Sequence, residues 1–178
     1  MNNKGFTLVE LLGVVVILAI VLGVSGVTIT GVITNSKYKT LDALVDTASD
    51  FVSDQWRIKK IDPNTMTDAF KDVMGSYRLG VDNFVQINNN THKTLIDEMG
   101  FSVEDVKKVN IKINSNGTSC VVVTELSLDS RLYNTKHWNK VDYSGGLVVI
   151  PNNDNNENYY SKHCDINEVN TLLSRYNG

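Results

Sequence analysis

The chain has 178 residues, a net charge of −3 and two cysteines, with acids and bases interspersed along it. That balance provides no basic surface of the size nucleic-acid binding requires, so no nucleic-acid partner is expected. The sequence contains no Gly-x-Ser-x-Gly elbow, His-Glu-x-x-His helix, glycine-rich phosphate loop or Cys-x-x-Cys pair. It therefore points away from an enzyme and supplies no catalytic residue, cofactor set or metal set.

The first predicted element is the apolar run over residues 6–33, interrupted near its start by one carboxylate, Glu10. A helix of that length, at about 1.5 Å rise per residue, exceeds the ~30 Å hydrocarbon core of a bilayer, so the run can span a membrane. A carboxylate inside such a helix costs about 2.5–3.5 kcal/mol when central and less near an end. Glu10 therefore asks for an opposite charge. The preceding Asn2, Asn3, Lys4 and Gly5 carry one base and no acid, which favours a cytoplasmic N-terminus. A secretory signal peptide cut near Val24-Ser25-Gly26 is opposed by the length of the run and by its charge. A plain membrane anchor fits the length and leaves Glu10 unexplained.

Lys4-Gly5-Phe6-Thr7-Leu8-Val9-Glu10, followed by the apolar helix, resembles the processing signature of type IV pilins and pseudopilins. The resemblance implies that a membrane peptidase cuts after Gly5 and that the same enzyme methylates the new N-terminal residue, Phe6. Glu10 becomes the fifth residue of the mature chain, and its carboxylate meets the N-terminal amine of a neighbouring subunit's Phe6 as a filament assembles. Such a pairing would offset the buried charge and favour one axial register. The resemblance is specific over about the first thirty residues. One departure is the lack of any proline before Pro63, where many family members carry one near the position of Val27. Gly23, Gly26 and Gly31 among β-branched residues have poor helix propensity outside lipid. They would either let the segment loosen in a filament or permit close helix packing.

Beyond the apolar run, Tyr38, Leu41, Leu44, Val45, Ala48, Phe51, Val52 and Trp56 recur at three- and four-residue intervals, which predicts that one helix continues to Asp62-Pro63. Its stripe needs a cover, so Trp56 is read as core. The head begins at residue 63. Within it the sequence predicts short helices over 67–74 and 94–99, the latter stopped by Gly100, and a strand over 81–87. A capping box at 102–105 predicts another helix through Lys108. Residues 109–113 and 120–126 form a predicted hairpin around Asn114-Ser-Asn-Gly117, and 147–150 a further strand ended by Pro151. Asp165-Ile-Asn-Glu168 opens a predicted C-terminal helix through Tyr176.

The expected fold is α+β and pilin-like, a long N-terminal helix with its outer half packed against an antiparallel sheet. The expected divisions are a leader (1–5), a hydrophobic membrane or filament-core helix (6–33), an amphipathic continuation (34–62) and a globular head (63–178). The asparagine-rich 152–158 could place oxygen ligands around calcium, but its spacing matches no calcium loop and a solvated loop is expected. Asn89 and Asn116 begin glycosylation sequons, a triplet frequent by chance in such a chain, and neither is read as modified. His92, His137 and His163 are expected at the surface. An oxidising exterior permits Cys120 and Cys164 to pair, and family members often staple the C-terminal region to the sheet this way; two free thiols are the alternative.

The functional expectation is a type IV pilus subunit, resident in the cytoplasmic membrane before assembly and then extracellular, serving adhesion or twitching motility. Its partners would be other pilin subunits, the prepilin peptidase/methyltransferase and the assembly machinery. The alternatives are a pseudopilin of a type II secretion or competence system and a monomeric membrane-anchored binding protein.

Overall fold

The computed structural model describes residues 8–76, 79–143, 146–152 and 159–175; within these, the side chains of 21–32, 34, 35, 38, 76, 143, 146 and 148 are outside the description. The chain divides into two compact units, Met1–Ser36 and Lys37–Gly178. The long helix α1 (Leu8–Ile61) contributes to both.

In the second unit the stripe anticipated from periodicity is buried. Leu41, Val45, Ala48 and Val52 are at most 1 % exposed and Trp56 is 9 % exposed. Each such fully buried valine or leucine contributes about 1.5–3 kcal/mol. The opposite face carries the exposed Asp42, Asp50 and Asp54. The helix stops where predicted: Asp62 adopts an extended conformation ahead of Pro63, and its carboxylate accepts from the Asn64 amide (3.0 Å) in a 3₁₀ turn over Pro63–Thr65.

The elements that follow are α2 (Asp68–Ser76), β1 (Val85–Asn88), α3 (Lys93–Glu98), β2 (Val106–Ile113), β3 (Ser119–Leu126), β4 (Trp138–Tyr143), β5 (Gly146–Pro151) and α4 (Ile166–Ser174). The five strands form one antiparallel sheet in the order β1-β2-β3-β5-β4. The fold is α+β, as expected. β3 is buried along its whole length because both its faces are covered. On one face, the Ser49 hydroxyl of α1 donates to the Ser119 carbonyl (2.7 Å) and the Ser53 hydroxyl accepts from the Ser119 amide (2.9 Å). These buried polar groups are paired across helix and strand, so the close approach carries little desolvation penalty. On the other face, Lys112 of β2 reaches Glu168 of α4.

The predicted hairpin forms with Ile113 opposite Ser119, and Gly117 takes φ +85° in its turn, a conformation open to glycine. α3 also ends as anticipated. Gly100 has φ +87°, the Gly100 amide donates to the Asp97 carbonyl and the Phe101 amide to the Ile96 carbonyl, which is a Schellman closure. α4 is capped by Asp165, whose carboxylate accepts from the Asn167 and Glu168 amides.

Four expectations need correction. α2 runs over Asp68–Ser76, through Gly75, rather than over 67–74. The 81–87 strand is shorter, because Asp82 takes φ +62° and turns the chain, leaving Val81 as a single bridge to Ile113. No helix follows Ser102. The Asp105 and Val106 amides both donate to the Ser102 carbonyl in a turn, and the chain enters β2 directly. In a capping box the fourth residue must turn back to its own helix, whereas the Asp105 carboxylate is taken by groups from a distant loop. Finally, β4 was not anticipated: the consecutive polar pair Asn139-Lys140 breaks the alternation of Trp138, Val141 and Tyr143, although a Ser-Gly-Gly turn signal follows.

The grip on Asp105 carries a testable consequence. Its Oδ1 accepts from the Arg131 amide (2.7 Å) and the Ser130 hydroxyl (3.2 Å), and its Oδ2 accepts from the Arg131 guanidinium (2.9 Å from Nη2). Burial acts to raise the carboxyl's pKa, but the hydrogen bonds and charge of Arg131, aided by Ser130, outweigh it and hold it below the ordinary value of 3.8. The unfolded chain therefore binds the proton more tightly than the folded one. The stabilisation is present above about pH 4 and is lost as pH falls through the lowered folded value. Asp105→Asn is expected to cost about 2 kcal/mol at pH 7. Urea midpoints should show this gap closing on acidification below pH 4; a gap independent of pH would refute the ion-pair explanation.

Candidate functional site

The residues that carry the sequence signature lie in the first unit. Gly5 and Phe6, the expected cleavage and methylation positions, lie outside the described residues. Glu10 is described, exposed, in the first turn of α1. There its charge faces the positive end of the helix dipole, worth about 0.3–1 kcal/mol, which offsets part of the cost of placing an acid in an apolar segment.

Around Glu10 the helix surface is apolar on all sides. Leu8 (81 % exposed), Leu11 and Ile17 leave their side chains open, as do Val9, Leu12, Val14, Val15, Val16, Leu18 and Ile20. Single exposed apolar residues need no explanation, but a continuous sleeve of them does: a helix hydrophobic all round is one that another surface buries. Among the described residues, no helix is long and apolar enough to cross a membrane. The side chains described without interruption in this region end at Ile20, whereas a span needs about 20 apolar residues.

In the second unit Cys120 and Cys164 are joined by a disulfide, with Cα atoms 4.7 Å apart. The pairing follows from backbone placement. Residues 159–161 lie along the β3 edge beyond the reach of β5: Tyr160 bridges Val122, the Val123 amide donates to the Tyr159 carbonyl and the Ser161 amide to the Val121 carbonyl. The turn that follows, with the Cys164 amide donating to the Ser161 carbonyl, places Cys164 over Cys120. The bridge fixes the segment ahead of α4 to the central strand.

The histidines differ from expectation. His163 is partly buried, but His92 and His137 are 7 % and 5 % exposed rather than at the surface. His92 occupies the cap position of α3, with Nδ1 2.8 Å from the Thr91 hydroxyl, and the His137 backbone closes a turn onto Asn134. Both are built into local structure. Asn89 donates its side-chain amide to the Val103 carbonyl, while Asn116 is exposed at the tip of the β2–β3 turn. Residues 153–158 of the asparagine-rich segment are outside the described residues.

Residues 1–26 match the family model of the prokaryotic N-terminal methylation motif, the class III signal peptide of type IV pilins and pseudopilins. The motif supports a type IV pilin-like or pseudopilin precursor, and it is the motif of structural subunits processed by prepilin peptidase and assembled with other pilin subunits. The N-terminal helix with a five-stranded antiparallel sheet agrees with the pilin fold. No curated protein and no solved structure matches the chain.

Proposed function

We propose that the protein is the structural subunit of a type IV pilus. The precursor is held in the cytoplasmic membrane by residues 6–33, cut after Gly5, N-methylated at Phe6, and polymerised into a surface filament that serves adhesion or motility. The divisions 1–5, 6–33, 34–62 and 63–178 are then leader, filament-core helix, amphipathic continuation and displayed head.

The observation that carries this reading is Lys4-Gly5-Phe6-Thr7-Leu8-Val9-Glu10 within the matched residues, continued by the apolar sleeve from Leu8 to Ile20. Packing such sleeves together removes apolar surface from water at the headgroup boundary and beyond it, which supplies cohesion. The Glu10 carboxylate and the Phe6 amine of a neighbour supply register.

Replacing Gly5 tests the processing step directly. Gly5→Leu places a branched side chain where the peptidase must close on the scissile bond. Full-length precursor is expected to accumulate in the membrane fraction, and no subunit to reach the surface. Normal cleavage of this variant would sink the leader assignment.

A further inference from the structure

The second unit contains a cavity of about 270 Å³ between β2, the chain just ahead of β1 and α4, which the filament reading does not use. Three features set it apart from an ordinary surface depression. Lys112, next to the end of β2, is only 4 % exposed. Its ammonium pairs with Glu168 and lies 5.6 Å from the centre of the Phe84 ring. A buried ammonium is costly unless paired, and here the pairing acid comes from the cavity's other wall.

The second feature is Asp82, on the rim. Among the described residues it is the one non-glycine residue with positive φ. Its amide donates to the Ile113 carbonyl (2.8 Å), which holds the strained turn in place. Strain retained at an exposed polar residue is a pointer to use of its side chain. The third feature is α4, which sets Asn167, Thr171 and Arg175 on its exposed side at four-residue intervals, with Leu172 buried beside Phe84. Among the described residues neither Asp82 nor Arg175 enters an ion pair.

The chemistry of this lining selects its ligand. Two acids, Asp82 and Glu168, balance two bases, Lys112 and Arg175, so neither a simple anion nor a simple cation gains from the field. Carboxylates that accept, with an amide and a guanidinium that donate, match a neutral molecule whose hydroxyls do both. Phe84 and Leu172 provide an apolar wall for its C–H surface. The volume lies just under the ~300–1,000 Å³ of sites for drug-sized ligands, which suits one ring rather than a chain. We propose that this cavity binds a single neutral sugar ring, with Asp82 and Asn167 as its principal hydrogen-bonding residues. This binding is independent of whether the chain polymerises.

The test is ligand-observed saturation-transfer NMR on the full chain in amine-oxide micelles, since glycoside detergents would compete. The probes are methyl α-D-mannopyranoside, methyl β-D-galactopyranoside and N-acetylglucosamine, with glycine as the zwitterionic comparison. At least one sugar is expected to receive saturation, and Asp82→Asn and Asn167→Ala are each expected to weaken its binding roughly tenfold. Asp82→Gly removes carboxylate and strain together, so it should lose the binding while keeping or raising the unfolding midpoint. The proposal is overturned if no sugar receives saturation, if glycine binds in their place, or if Asp82→Asn and Asn167→Ala bind like the parent.

Discussion

Glu10→Ala is expected to leave the subunit cut, methylated and abundant in the membrane fraction, and to remove it from sheared surface filaments. Within the helix the substitution is mild: it forfeits the dipole interaction at the first turn, about 0.3–1 kcal/mol, and places a good helix former there. Within a filament it is severe. The Phe6 amine of the next subunit would be buried without a counter-charge, and breaking a buried pair costs about 3–5 kcal/mol, roughly a hundredfold or more at every addition step. Glu10→Gln separates charge from shape, because it fills the same space and should fail in the same way. Quantifying the subunit in membrane and sheared fractions checks both variants. Incorporation at the parental level would refute the assembly role given to Glu10, and absence of the parent itself from the sheared fraction would leave a monomeric anchor as the better description.

The second large effect concerns the head. Removing the Cys120–Cys164 bridge as the double Cys120→Ala, Cys164→Ala variant is expected to lower stability by about 4 kcal/mol in the chain-entropy treatment of the loop it closes. The two residues are 44 apart in sequence. For a domain of this size that is a fall of roughly 15 °C in the melting midpoint. The variant should still fold, because Val169, Leu172 and Leu173 keep α4 on the core and Lys112–Glu168 ties it to β2. Thermal melts of the parent with and without reductant give the same comparison without mutation. Equal midpoints in the two conditions would show that the bridge does not stabilise the head.

The N-terminal signature was legible because its chemistry is dense and local: a small residue at the cut, Phe6 after it and one acid in an apolar run. The outer half of α1 was legible for a different reason, since the stripe from Leu41 to Trp56 repeats often enough for its period to stand out. The β2–β3 hairpin could be read from Asn114-Ser-Asn-Gly117, where Gly117 meets the positive φ the turn demands.

What was missed depends on partners remote in sequence. Ser102 to Asp105 has helix-start chemistry, but Arg131 and Ser130 claim the Asp105 carboxylate and the segment turns into a strand. Asn110 and Lys112 alternate with apolar neighbours and read as a solvent face, yet they are 3 % and 4 % exposed. Asn110 bonds the Thr124 hydroxyl and Lys112 meets Glu168 on α4, which covers that face. The cavity beside Lys112 was illegible for the same reason. His92 and His137 looked like scattered surface residues until local turns buried them.

The most direct test is the mass of the N-terminal peptide of the protein in sheared surface material. A peptide that begins at Phe6 and carries one extra methyl group is the expected result. A peptide that retains Met1, or one that begins near Val27, would contradict processing after Gly5 and with it the proposed filament subunit.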